Sequence, residues 1–483
     1  MVPGVARLDA DSLTAYAERN ERALVILLLL VSIAVQANGI MHYGYIGQDF
    51  EDHIFKLSVV FSDPLLVITT QDAPLPYYLC AWLYLLTDGH QVLELFAFGT
   101  AAMNAGAVLL FHRLSTLLVG HVFLRLAATM LLTFLPFRIV HSVVFAGDSF
   151  TALPFIVVVL LVVGLHAREA DRWAKLRILA LVLTLALLAK HSFLALLPAL
   201  ALTLLLLVRT GKLNRPQALA FLVLVLLLPG VLGTILLLRS SHRTVHPWKK
   251  VPGSGSAMRL DDLLVMKKRD LHLLNAPSYD ERDGYGKLSL MVPHRFSYPA
   301  LLHLGIFTDH LNFFQYDPNR PYIPARSAAN QRLMALSVKT SIPLSIAAFL
   351  ATLWYTARVA ALFLRGVRRG QGSFGTREFA LLMTVLFGLA CYLVIVLALP
   401  YLRWAYWSGY WLPRLVMPSV MSFFLLAFAA LDELLVRCGP RAVAALALAA
   451  LIGVTAQSAL HVAFLCPWGA YGPMPRIHLS TYR

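Results

Sequence analysis

Runs of about twenty apolar residues recur along this chain, and nothing else in it constrains the fold so strongly. A helix needs roughly 20 residues at 1.5 Å each to cross a ~30 Å hydrocarbon core. Eleven segments meet that need: 23–40, 91–111, 121–140, 149–166, 174–190, 192–208, 217–238, 341–364, 378–399, 412–435 and 441–465. Stretches 181–188 and 222–228 are nearly pure Leu, Val and Ala. The expected fold class is an all-α integral membrane protein with about 11 transmembrane helices.

Composition agrees. Hydrophobic residues make up 59% of the 483 and charged ones 14%, against about 45–50% and about 25% in soluble domains. That balance excludes a soluble globular enzyme, a disordered protein and a DNA-binding domain. A net charge of +16 would otherwise raise nucleic acid as a partner. Here the basic residues sit in short loops, so the expected partner is the bilayer and no nucleic acid is expected. Cys80, Cys391, Cys438 and Cys466 show no CxxC spacing, which suggests neither a zinc site nor a disulfide scaffold.

Lys and Arg in short loops set orientation. Arg168, Arg172, Lys175 and Arg177 occupy one loop, and Arg209, Lys212 and Arg215 the next. Arg365, Arg368, Arg369 and Arg377 occupy a third, and Arg437 and Arg441 the last. Eleven spans with a cytoplasmic N-terminus place all four inside and the C-terminus outside. The division is then a cytoplasmic amphipathic N-terminus (1–22) and a transmembrane module (23–238) that includes outer loop 41–90. An outer loop domain (239–340), a C-terminal transmembrane module (341–465) and an outer tail (466–483) follow. Loop 239–340 is itself basic, through Lys249, Lys250, Lys267, Lys268 and Arg269, and an inverted topology is the competing arrangement. Long loops largely escape the rule, however. Span one reads as a retained signal anchor, and no transporter-type repeat is visible.

The first outer loop carries the densest chemistry. It reads Tyr45-Ile-Gly-Gln-Asp49-Phe-Glu51-Asp52-His53-Ile-Phe-Lys56. On a helix Asp49 and His53 share a face, as do Asp52 and Lys56. Read plainly, this is a wet loop with ordinary acidic residues. Ionisable groups at a bilayer boundary are solvated or functional. Farther on, Pro74 and Pro76 precede Tyr77, Tyr78, Trp82 and Tyr84, the pattern of a helix lying at the membrane surface.

An Asp-x-x-x-His segment after the first span, then a Pro-rich Tyr-Tyr helix start, resembles the GT-C glycosyltransferase superfamily. More narrowly it resembles the branch of protein O-mannosyltransferases and lipid A aminoarabinose transferases. Asp49 takes the first acidic position of that branch's motif, with Phe50 where a Glu is usual. Leu75-Pro76-Tyr77-Tyr78 takes the second motif, with Leu75 for its first Pro. Phe145-Ala-Gly-Asp148-Ser149, Leu188-Ala-Lys190-His191 and Pro413-Arg414-Leu415-Val416-Met417-Pro418 extend the resemblance over most of 23–435. In the central loop Phe307-Thr-Asp309-His-Leu-Asn312 matches loosely. Asp49, Asp148, Lys190, His191 and Arg414 all fall at outer span ends in a topology assigned from loop charge alone.

The resemblance implies sugar transfer from a polyprenyl-phosphate donor to an acceptor hydroxyl on the outer face, with inversion. A general base must take the hydroxyl proton, and Asp49 is the candidate. Glu51, Asp52, His53 and Asp148 are supporting acidic or orienting residues. The leaving phosphate needs cations. Lys190, His191 and Arg414 lead that set, with Arg138 and Lys56 behind them, and each has the alternative of a snorkelling interfacial side chain. Tyr77 and Tyr78 would line the substrate cleft. No cofactor is expected. A divalent cation, Mg²⁺ or Mn²⁺, is the alternative, with Asp49, Asp148 and His53 as its ligands. A flippase for lipid-linked saccharide and an O-antigen ligase or polymerase are the competing functions. The Ala/Leu/Arg-rich style suggests a bacterial inner membrane with the site facing the periplasm.

Overall fold

The computed structural model describes residues 10–42, 56–57, 60–61, 73–88, 91–143, 147–167, 171–225, 227, 298–308, 328–369, 374–401 and 416–466. Among them every regular element is a helix. In chain order these are α1 (Ala10–His42), α2 (Leu75–Thr87), α3 (Val92–Leu118), α4 (Val122–Phe134), α5 (Pro136–Val143), α6 (Ala152–Ala167), α7 (Arg172–Ala189) and α8 (Leu196–Arg209). Then come α9 (Arg215–Val225), α10 (Tyr298–Phe307), α11 (Ala328–Thr340), α12 (Ile342–Arg369), α13 (Thr376–Tyr401), α14 (Met417–Leu435) and α15 (Pro440–Leu465). Short 3₁₀ helices at Gly147–Phe150 and His191–Ala195 precede α6 and α8.

Each apolar segment read from the sequence falls at least partly on a helix. The described part of 217–238 is mainly α9, and that of 412–435 begins just before α14. Seven helices are long and apolar enough to cross a membrane, or eight if the bent pair α4–α5 is one span, among the described residues. This is fewer than eleven because some segments make short or charged helices. The 16-residue α6 rises only ~24 Å, and α7 carries Arg172, Lys175 and Arg177 in its first turns. α1 runs unbroken through residue 22, and residues 332–340 join 341–364 in one apolar run, Arg332–Leu364.

Local chemistry explains the helix limits. Pro76 sits in the first turn of α2, where backbone N–H groups have no helical acceptor and proline costs nothing. Its other end is closed by Asp88, at φ 49°, whose N–H reaches Tyr84 O. α4 is capped by His121, whose Nδ1 accepts the Phe123 N–H at 3.3 Å.

The helices thread so that their ends sort into two groups. At one, the basic-loop end, Asp432 of α14 clamps the α3–α4 turn. Its carboxylate accepts the Gly120 and His121 N–H groups at 2.8 and 3.0 Å. Arg377 of α13 donates to Asp432 at 3.3 Å and to Leu118 O at 3.0 Å. Glu21 of α1 takes Arg125 of α4 through two bonds, at 2.6 and 2.8 Å. Arg358 of α12 pairs with Glu433 at 2.7 Å. The end of α6 joins the start of α13: His166 Nε2 lies 2.9 Å from Phe374 O, and the ring stacks on Phe379 at 4.1 Å. The opposite end gathers the finish of α1, the start of α3 and the finish of α5, where Ile40, Ala97, Ala101 and Val143 pack together.

Within the bundle α13 and α14 approach closely at Gly388. A β-carbon there would lie 2.6 Å from Ser422 Cβ, and Ser419 Oγ donates to Gly388 O at 2.7 Å. Small residues permit this approach, which is how helices associate where lipid removes the hydrophobic drive. Gly388→Val is therefore expected to lower the melting temperature of the detergent-purified protein, at a cost of about 1–3 kcal/mol. Adding Ser422→Gly should recover part of the loss. Full stability of Gly388→Val alone would contradict the packing.

A second expectation concerns pH. Burial holds the His121 imidazole below its ordinary value of 6.5, and Arg125 adds to this, while Asp432 opposes it. The neutral ring is also the form that caps α4. Its contribution to stability is thus complete above about 6.5 and declines as pH falls below that value. Melting temperature followed from pH 8 to 5 should drop less steeply in His121→Asn, which keeps a cap acceptor and does not titrate.

Candidate functional site

At the end opposite the basic loops, segments far apart in sequence close around one apolar cluster. Leu57, Val60, Tyr77, Cys80, Tyr84, Phe96, Phe150 and Ala189 are among its buried members. Phe96 and Phe150 rings lie 5.8 Å apart, and Phe61 and Tyr84 rings 4.6 Å. Four members have a candidate residue near them in the chain. Leu57 follows Lys56, Tyr77 precedes Tyr78, Phe150 is two past Asp148, and Ala189 precedes Lys190. The cluster thus draws four of the segments singled out in the sequence to one place.

Their side chains fare differently. Lys56, Tyr78 and Lys190 are half-buried. Lys190 ends α7 in an extended conformation, its N–H on Ala186 O. Asp148 lies on the 3₁₀ helix Gly147–Phe150, and His191 begins the next one. Tyr77 is only 2% exposed. It packs within the apolar cluster. Asp49, Glu51, Asp52, His53 and Arg414 lie outside the described residues. So do two of the three proposed metal ligands. No group of three or more His, Cys, Asp or Glu side chains suited to a metal occurs among the described residues.

Arg138, expected among the phosphate-binding cations, is 2% exposed, and its Nε and Nη2 are turned to the backbone of its own chain while Nη1 has no partner among the described residues. The cause is Pro136. Proline supplies no N–H and its ring clashes with the carbonyl four residues back. The helix accordingly bends by 47° between α4 and α5. The Arg138 guanidinium then donates to Leu132 O at 2.9 Å, to Thr133 O, and to Ser32 Oγ of α1 at 2.7 Å. The third carbonyl at the break, Phe134 O, lies 2.9 Å from Nδ1 of His461 on α15. His461 in turn meets Gln457, which donates to Ser337 O and Oγ on α11.

From this break a line of polar contacts runs toward the apolar cluster. Gln36 Nε2 donates to Ser142 Oγ at 2.5 Å. Thr100 Oγ1 donates to Ser142 O at 2.7 Å, and Asn104 Nδ2 to Ser149 O at 3.0 Å. Ser149 Oγ donates to His141 O at 2.7 Å. Sequence reasoning passed over Gln36, Asn104, Gln457 and His461. The signal was there: each is a polar residue inside a long apolar helix, where such groups are costly unless paired.

The tail of segment 239–340 also enters the bundle. On α10, His303 contacts Val338 O at 2.9 Å and Ser345 Oγ at 2.7 Å. Phe307 is fully buried, its ring 5.8 Å from Phe424 and 6.0 Å from His461.

No protein-family model matches the chain, and neither does any curated protein sequence. Among solved structures, the apo oligosaccharyltransferase of Archaeoglobus fulgidus is similar, with 13% identity and a TM-score of 0.46 over 92% of this chain. The chain spans 56% of that protein's length. At that similarity neither activity nor substrate passes from one protein to the other.

Replacing Arg138 by Leu should orphan carbonyls at the Pro136 break and lower the melting temperature, at roughly 1–3 kcal/mol per unsatisfied buried group. Unchanged stability with a loss confined to ligand binding would return Arg138 to the phosphate-binding set.

Proposed function

We propose that this protein is a membrane glycosyltransferase of the GT-C type, moving a sugar from a polyprenyl-phosphate donor to an acceptor hydroxyl at the bilayer surface. The observation that carries the reading is the convergence at one bundle end. Lys56, Tyr78, Asp148 and Lys190, singled out in the sequence and spread over more than a hundred residues, adjoin members of a single apolar cluster.

The chemistry follows from the residues. A prenyl chain is apolar and its phosphosugar is charged, so a site for both belongs where the bilayer meets water. In this reading Asp49 accepts the proton of the attacking hydroxyl while the glycosidic bond to phosphate breaks on the opposite face, giving inversion. The phosphate leaves carrying negative charge. Lys190, with His191 and Arg414, stabilises it as a group of pre-placed cations would. Glu51, Asp52, His53 and Asp148 orient the acceptor and the base. The reaction needs no metal in this form. Were a divalent cation used, Asp49, Asp148 and His53 would hold it, and it would supply further positive charge to the leaving phosphate. The site faces away from the basic loops, which corresponds to the periplasm if those loops are cytoplasmic in a bacterial inner membrane.

One observation favours a second reading, a flippase for lipid-linked saccharide. The chain has a broken helix and polar residues buried between spans, which transporters use. Against it, Arg138 Nε and Nη2 and His461 Nδ1 meet carbonyls that the break itself freed.

The deciding experiment offers the purified full-length protein a panel of polyprenyl-phosphate sugars with membrane extract as acceptor. Release of free polyprenyl phosphate is followed with and without EDTA. Wild type is expected to release it from one donor, and Asp49→Asn to fall by about 10²–10⁴-fold. Lipid binding without release from any donor would sink the transferase and leave ligase or flippase.

A further inference from the structure

From the helix contacts around Ser149 we infer that Asn104 is a positioning residue for Asp148, an inference that rests on the transferase reading. Asparagine is a poor choice for the middle of an apolar span. It favours helix less than Leu does, and its amide must be satisfied away from water. Asn104 is 4% exposed. It uses its amide nitrogen twice, on Thr100 O of its own helix at 2.9 Å and on Ser149 O at 3.0 Å. The first bond is local. The second crosses to the carbonyl of Ser149, the residue directly after Asp148.

Thr100 and Asn104 lie one turn apart on the same face of α3. Thr100 holds Ser142 O, near the end of α5, while Asn104 holds Ser149 O. One turn of one helix therefore grips the chain on both sides of 143–148. Ser149 Oγ closes the gap by donating to His141 O, and Phe150 is set against Phe96 of the same α3. Asn104 stands twelve residues from the start of α3, or ~18 Å along the axis. The backbone of the short helix bearing Asp148 is thereby tied to α3. A leucine at 104 would fill the volume and leave that backbone without its tie.

The test uses the donor-release assay on full-length protein in nanodiscs, with four variants: Asn104→Leu, Asp148→Asn, their combination, and Asn104→Asp. Asn104→Leu should lower kcat by about 10²-fold, the scale of a 1 Å misplacement, with donor KM unchanged within about twofold. In the Asp148→Asn background it should cost nothing further, since residues acting through one another are not additive. Asn104→Asp keeps the shape, and burial holds its carboxyl protonated, so it can still donate to Ser149 O. It should keep most of the wild-type kcat where Asn104→Leu does not. Additive losses in the double variant would overturn the inference. Should Asn104→Leu fail to fold, a folded but inactive Asn104→Asp would overturn it. An active Asp148→Asn beside an inactive Asp49→Asn would overturn it and leave the transferase standing. Wild type that releases nothing would remove both.

Discussion

In a bilayer, a carbonyl freed from its helix has no water to turn to, and the break at Pro136 frees several at once. How those carbonyls are satisfied organises much of this molecule. Arg138 serves two of them and reaches Ser32 on α1. His461 serves another from α15 and carries the connection through Gln457 to α11. A single proline thus binds together helices that begin and end the chain. The bend it imposes also aims α5 at the end of the bundle where the candidate residues collect.

The two ends of the bundle are held by different physics. At the basic-loop end full charges meet: Glu21 with Arg125, Asp432 with Arg377, Glu433 with Arg358. At the other end neutral ties run from Gln36, Thr100, Asn104 and Ser149 to hydroxyls and carbonyls. Neutral bonds of this kind fix a backbone without adding charge to the place where a charged lipid phosphate would be handled. That division suits the proposed reaction.

Much of the architecture was legible in the sequence because hydropathy over twenty residues is a local property. The apolar segments met helices for that reason. The sorting of helix ends followed too, since loops rich in Arg and Lys lie next to the ion pairs that join them. The ties of Arg138 were not legible because they depend on a proline two residues away and on carbonyls a turn earlier, a relation that charge counting does not see. The burial of Tyr77 was not legible because aromatic composition marks an interface without saying which face of a helix is buried. Asn104 went unnoticed because its partner, Ser149, is 45 residues distant. For the candidate site, then, the sequence supplied the segments, while which side chains are committed elsewhere came only from their packing.

The burial of α6 has a consequence for how short it can be. Only Ala167 of its 16 residues is exposed, so its neighbours are other helices and not lipid. A helix that meets lipid and falls below the hydrocarbon thickness makes the bilayer thin or the helix tilt. One walled by protein carries no such cost, and its length is set by what must be joined at its two ends. At one end that is the short helix bearing Asp148, and at the other the His166 contact with the start of α13.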